Sequence, residues 1–308
     1  CHRAMSGFVE LVAATNYSFL DGASHAEDMV AQAITLRHAG IGIADRNTVA
    51  GVVRAYDALK RAETGRLGAA LPPFGFTLAV GTRLVFADGT PDIVAYPANR
   101  TGWGRLTRIL TTGNLRSVKG DCLLGLGDLI ALHRDLLLIV LPESSARGGV
   151  ARDEAERPPP RSDPSLATTL RAVKRLAPDG VWLGVSMARR GQDRRRLRRL
   201  KILAETVGVP LLATTDALYA HRDDRPLHDV VTCIREGVTI DTAGRRLAAN
   251  GERHLKDEAE MRRLFRDAPE AIDESLRLLA RIGFSLDQLR YEYPHEPVPA
   301  GWDAQAWL

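Results

Sequence analysis

Short apolar runs of strand length alternate with stretches of helical period along most of this chain, the rhythm of a parallel α/β sheet or barrel. FVELVAA (8–14) reads as a strand and His25 to Arg37 as a helix, and IGIAD (41–45) with Val49 to Arg61 repeats the step. Ser24 is placed to cap the first helix, with Glu27 three residues on as its capping-box partner. After the Gly/Pro-rich stretch 68–75, FTLAVGTRLVFADGTPDIVAYP alternates apolar and polar residues around Asp88-Gly89, which predicts a strand and hairpin. Helices near 102–112 and 125–132 lead to the apolar strand LLLIVLP (136–142). Helices at 166–176 and 192–207 feed the strands VWLGVS (181–186) and PLLATT (210–215), and a helix follows around 226–236. Beyond Gly237 only helical patterns remain, clearest at Asp257 to Arg266 and Pro269 to Arg281. The expected architecture is a parallel barrel with a helical extension, and no period of 20–50 residues suggests a solenoid.

With 308 residues, 45% hydrophobic and 26% charged, the chain can bury a full core, either as one large α/β domain with a helical tail or as two medium domains. The segment 144–165, rich in Pro, Gly and charge, is expected to be a mobile surface insertion. Lys and Arg number 42 against 38 Asp and Glu, a net charge of +4 that permits nucleic-acid contact without demanding it. Cys1, Cys122 and Cys233 are odd in number and form no CxxC pair, which argues against a disulfide framework or a zinc ribbon. A reducing, cytoplasmic compartment is expected, with no membrane partner, since no apolar run is long enough to span a bilayer. The opening CHRAMSGFVEL has no signal-peptide pattern, and a first residue other than Met suggests a segment of something longer.

Catalytic groups of parallel α/β folds lie just beyond the carboxyl ends of strands. Those positions here hold Asn16 to Asp21, Asp45 with Arg46, and Asp216. Three carboxylates at strand ends suit hard-metal or phosphate chemistry, although an N-cap or turn role is the commoner fate of any single Asp there. Ser18 has no neighbouring His, Cys122 and Cys233 lack a nearby base, and there is no GxSxG, Walker loop or GxGxxG. His25, His38 and His133 fall on helices, while His221 and His228 follow Asp216 and form, with Asp21, Asp45 and Asp216, a weaker alternative metal set. ARRGQDRRRLRRLK (188–201) is the most basic stretch. Leu197 and Leu200 would face the barrel, leaving Arg194, Arg195, Arg198 and Arg199 as candidate phosphate or DNA contacts, although a plainly solvated outer face is the favoured reading of such a stretch.

Several blocks resemble one family in the right order. FVELVAATNYSFLDGASHAEDMV is similar to the opening motif of the PHP (polymerase and histidinol phosphatase) domain of bacterial C-family DNA polymerases, the polymerase III alpha-subunit type. ADRNTVAGVVRAYDALK, LAVGTRLVF and PLLATTDALY with PLHDVVTCI resemble its later motifs, and ERHLKDEAEM and LRYEYPHE resemble the error-prone branch. The resemblance covers residues 8–296 and implies a distorted parallel (β/α)7-like barrel over 1–236, with 237–308 a helical extension leading toward a polymerase core outside the chain. It also implies a parent error-prone DNA polymerase that uses Mg2+ in translesion synthesis, contacts DNA, and works with other proteins of the mutagenesis machinery.

That family holds divalent metals with His, Asp and Glu ligands, and five of those positions have changed. Val12 and Ala14 replace a His-x-His pair, Arg46 a His, Arg83 a Glu and Leu218 a His, while Asp21, Asp45 and Asp216 remain. The expected consequence is a degraded metal site with no catalytic residue and no cofactor in this segment. Converging carboxylates that lose their cations are costly to bury, and a guanidinium can bridge them, so Arg46 and Arg83 are expected to pair with Asp21, Asp45 or Asp216, the alternative being that the arginines point to solvent. The alternative is a metal-dependent phosphoesterase or 3′–5′ exonuclease, as in relatives that keep the ligands.

Overall fold

A computed structural model describes residues 7–142, except 69 and 74, and 166–289. The expected insertion at 144–165 and the end of the extension, 290–308, lie outside the described residues. Seven strands lie side by side in chain order: β1 (Val9–Ala13), β2 (Gly40–Arg46), β3 (Thr77–Leu84), β4 (Ile93–Pro97), β5 (Leu136–Val140), β6 (Val181–Ser186) and β7 (Leu211–Thr214). All neighbours pair in parallel except β4, which runs against both β3 and β5. The hairpin read from Asp88-Gly89 therefore forms, but as a wide loop. Asp88 accepts hydrogen bonds from the Thr90 and Leu126 amides, and Gly89 takes a positive φ of 84°.

Helices cover the outside: α1 (Ala26–Thr35), α2 (Val52–Glu63), α3 (Arg100–Leu115), α4 (Leu126–Leu132), α5 (Leu166–Leu176), α6 (Asp193–Val207) and α7 (Arg225–Glu236). The short α8 (Ile240–Ala243), α9 (Glu258–Leu264) and α10 (Glu270–Leu279) follow. One correction concerns α1. Its N-cap is His25, without a side-chain cap, because the Ser24 hydroxyl is engaged elsewhere, donating to Asp224 and accepting from the Ala220 amide.

The two-residue strand period sorts side chains into an outer shell and an interior. Ile41, Ile43, Leu78 and Val80 pack outward with α1 and α2, and Leu136, Leu138, Leu183 and Val185 pack outward with α3 to α6. Inside lie Leu11, Ala44, Ala79, Val94, Tyr96, Ile139, Trp182 and Leu212, joined by Leu276, Leu279 and Ile282 from and after α10. The described part of the expected extension is thus packed on the barrel, with α10 against β7 and β1.

Small residues on β2 and β3 exist to admit one large ring. A Cβ added at Gly42 would lie 2.2 Å from the Tyr96 hydroxyl, and one at Gly81 2.7 Å from its ring. Tyr96 is fully buried and donates to the Leu11 carbonyl at 2.8 Å, so the phenol spans the interior from β4 to β1. Closure between β1 and β7 rests on little backbone pairing, the Ala14 amide donating to the Ala217 carbonyl at 2.9 Å. Glu10 completes that seam. Its carboxylate accepts from the Val12 amide, the Thr214 hydroxyl, and the Thr215 amide and hydroxyl, all within 2.7 Å.

Because the ring cannot retreat from a filled interior, Gly42→Ala is expected to destabilise the fold by about 1–3 kcal/mol or more, the usual cost of overpacking. Urea unfolding of the two proteins measures it, and an unchanged midpoint would show that the interior is less closely filled.

Candidate functional site

Arg83 points inward from the end of β3, nearly buried, at the mouth formed by the carboxyl ends of the parallel strands. Its Nε donates to Asp92 at 2.7 Å and its Nη1 to Asp216 at 2.8 Å. Asp92 is fully buried. It reaches the mouth because β4 runs backwards, so the residue before that strand lies at the same end as the residues after its neighbours. Asp216 follows β7 in a left-handed conformation, φ 51°, with its amide held by the Thr214 hydroxyl at 2.8 Å. From the far side Arg253 donates to the Asp216 carboxylate at 2.6 Å and to its carbonyl at 2.8 Å.

Two guanidinium groups on one carboxylate decide its protonation. Burial pushes Asp216 upward, but the charges of Arg253 and Arg83 and their hydrogen bonds outweigh burial and hold it below the usual carboxylate range. Burial likewise works against the charge of Arg83, and the attraction of Asp216, Asp92 and Asp21 overrides it.

The other two strand-end carboxylates are engaged differently. Asp45, at the end of β2, is fully buried and accepts from the Thr15 amide at 2.7 Å, the Thr15 hydroxyl at 2.9 Å and the Ser18 hydroxyl at 2.8 Å. Its pKa is raised by burial, which these hydrogen bonds only partly offset. Asp21 pairs with Arg235 of α7 at 3.2 Å, and the same guanidinium donates to the Leu20 carbonyl at 3.0 Å. Arg46 is the register partner of Arg83 on the adjoining strand, yet among the described residues it forms no ion pair with Asp21, Asp45 or Asp216. The expected pairing therefore forms at Arg83 and not at Arg46, because the closing strand delivers Asp216 to β3 and hydroxyls already satisfy Asp45.

The remaining expected positions are apolar contacts. Val12 joins the interior, and Ala14 and Leu218 pack with Tyr219 and Ala23 beside the β1–β7 seam. His221 is exposed at the start of a 3-10 turn, and His228 is buried against Tyr219 with ring centroids 5.4 Å apart. Burial drives the His228 pKa down to about 4. His38 Nε2 donates to the Lys256 carbonyl, His133 Nδ1 donates to that of Ile130, and His25 is exposed. Cys122 is half-buried with its thiol pushed up to about 11, the opposite of an activated nucleophile.

Such donors do not fit a cluster of divalent metals. Among the described residues no three His, Cys, Asp or Glu side chains converge to hold an ion. Both Asp216 oxygens face guanidinium groups, and Val12, Ala14 and Leu218 offer no lone pair. The cavity beside Asp216, lined by Leu141, Pro142, Gly184, Ser186, Arg196 and Thr214, measures about 10 Å³, room for roughly one water.

Four contributors escape the strand-end rule. Asp92 precedes its strand, Glu10 lies within one, and Arg235 and Arg253 come from helical and irregular segments. Only Asp92 left a signal, the hairpin that reverses β4. The arginines of the basic stretch lie on the outside: Leu197 and Leu200 of α6 are buried, while Arg194, Arg195, Arg198 and Arg199 are exposed.

Residues 10–143 match the PHP domain family. The chain is 48% identical over 98% of its length to an error-prone DNA polymerase of Rhodopseudomonas palustris (strain BisB5), and 45% identical over 99% to one of Brucella abortus. It spans about a quarter of the length of these relatives, 25% and 26%. A solved structure from Bifidobacterium adolescentis, described as a metal-dependent phosphoesterase, aligns with a TM-score of 0.46 and 16% identity, over 85% of this chain and 97% of that one. No described helix is long and apolar enough to cross a membrane.

Removing Arg83 leaves the buried Asp92 and the largely buried Asp216 without their shared partner, so Arg83→Ala is expected to cost about 3–5 kcal/mol in chemical denaturation. The ion pairs also set a pH dependence. Because the folded-state pKa of Asp216 is depressed, its contribution is present above the unfolded carboxylate value and fades as pH falls through the folded value. The stability gap between wild type and Asp216→Asn should therefore be full at neutral pH and narrow below 3.8, the ordinary aspartate value. A gap constant down to strong acid would contradict the pairing.

Proposed function

We propose that this chain, whose residues 10–143 match the PHP domain family, is the amino-terminal structural portion of an error-prone DNA-directed DNA polymerase and does no hydrolysis of its own. On this reading residues 1–236 form the barrel unit, and 237–308 lead toward the polymerase core of the same polypeptide. The parent enzyme copies past damaged template bases in damage-induced mutagenesis. Its catalytic carboxylates, Mg2+ and deoxynucleoside triphosphates belong to that core, in the cytoplasm and alongside other proteins of the mutagenesis machinery.

The observation that carries the structural reading is the Arg83 guanidinium held between Asp92 and Asp216. A metal-activated hydrolase needs cations and a bound water where these carboxylates converge. Here a fixed, always protonated side chain supplies the positive charge, and it can neither exchange ligands nor lower the pKa of water as a metal does. Val12, Ala14, Arg46 and Leu218 are then the other altered positions of a former metal site, and Asp21, Asp45 and Asp216 its surviving carboxylates. What charge remains is structural.

The test is elemental analysis of the purified chain, its melting temperature with and without chelator, and hydrolysis of bis(p-nitrophenyl) phosphate in manganese. Substoichiometric metal, an unmoved melting temperature and no turnover above that of Arg83→Ala are expected. Stoichiometric metal with chelator-sensitive turnover would replace this reading with that of a phosphoesterase or 3′–5′ exonuclease.

A further inference from the structure

The outer layer over β5 to β7 carries more positive charge than the fold and the mouth use. Residues 166–207, which contain α5, β6 and α6, hold eleven Arg or Lys against three Asp or Glu, while the rest of the chain holds thirty-one against thirty-five. The excess positive charge of the molecule is therefore concentrated in one segment.

Part of that charge is neutralised internally. Arg189 pairs with Glu252 and Glu260, Arg194 faces Asp267 at 3.8 Å, and Lys201 reaches Glu270 at 2.8 Å. These pairs link Arg189, just before α6, and two residues of α6 to the segment 252–270. Arg195, Arg198 and Arg199 differ. They are exposed, lie on one face by their i, i+3 and i+4 spacing, and have no acidic partner among the described residues. On α5, which packs beside α6, Arg171 and Arg175 are exposed at i and i+4 and likewise have no acidic partner among the described residues. Like charges at this spacing destabilise a helix slightly, and no carboxylate among the described residues pairs with them.

We propose that the outer face of α5 and α6, formed by Arg171, Arg175, Arg195, Arg198 and Arg199, binds the phosphate backbone of duplex DNA without reading its sequence. Guanidinium groups engage phosphate oxygens in paired hydrogen bonds, and each such bond pair releases condensed counterions. Neither helix contains an aromatic residue, so neither offers the stacking platform that single strands need. An anionic membrane is the poorer fit, because an interfacial helix inserts an apolar face and that of α6, with Leu197, Leu200 and Ala204, is committed to the barrel. The inference is independent of the reading of the mouth, which lies at the strand ends and is tested by metal and turnover.

Fluorescence anisotropy of the whole chain with a short labelled duplex, titrated from about 50 to 200 mM salt, tests it. Wild type should bind with a steep log–log salt slope that is the same for duplexes of different sequence. The combined Arg195→Gln, Arg198→Gln and Arg199→Gln variant should flatten that slope by about 2.7, roughly 0.9 for each phosphate no longer neutralised. Its folding should be unchanged, since the three side chains are exposed on the outer face of α6. Arg66→Gln, Arg100→Gln and Arg108→Gln, which remove equal charge from exposed positions elsewhere, should leave the slope near wild type. An unaltered slope in the first variant, or equal flattening in the second, would overturn the proposal. So would tighter binding to phosphatidylserine vesicles than to duplex through the same three arginines.

Discussion

A guanidinium buried inside a barrel must find carboxylates, and the position of Arg83 makes that requirement organise the mouth. Its partners come from distant points of the chain, Asp92 at the start of the reversed strand and Asp216 beyond the last strand. Satisfying both charges ties the β3–β4 hairpin to the end of β7. Asp216 accepts a left-handed backbone, normally costly for a residue with a Cβ, while Thr214, Arg83 and Arg253 hold it there. Breaking one of these pairs would leave the others with uncompensated buried charge, which is why the group behaves as a unit.

The rest of the barrel follows from filling what this ring of charge leaves. Glycines on β2 and β3 give their interior space to Tyr96, whose hydroxyl reaches Leu11 on the first strand. Side chains from and after α10 join the interior from the other end. Glu10 supplies the seam with hydrogen bonds that the sparse β1–β7 backbone pairing does not, and burial raises its pKa despite those bonds. The cavity beside Asp216 at the mouth measures about 10 Å³.

Charge is thus used in two ways on one molecule. At the mouth, carboxylates and guanidinium groups pair with one another. On the outer face of α5 and α6 the arginines stand without acidic partners among the described residues, which leaves their charge available to a polyanion.

Much of the fold was legible in order and type. Strands and helices fall where apolar runs and helical periods place them, because a strand buried on both faces needs an apolar sequence throughout and a covering helix needs one apolar side. The absence of lone pairs at Val12, Ala14 and Leu218 was equally plain from residue identity. The sequence alone therefore determined the alternation of elements, the hairpin, and the side chains available to the mouth. Tertiary structure alone decided which of them meet. Arg46 and Arg83 are neighbours in register and equivalent by residue type, yet Arg83 takes the carboxylates because ring closure sets Asp216 beside β3 and strand reversal sets Asp92 there too. Arg235 and Arg253 enter from segments with no strand-end signature, and Ser24 gives up its expected cap to bind Asp224. Pairings between residues more than two hundred positions apart depend on how the barrel closes, and no local pattern carries that information.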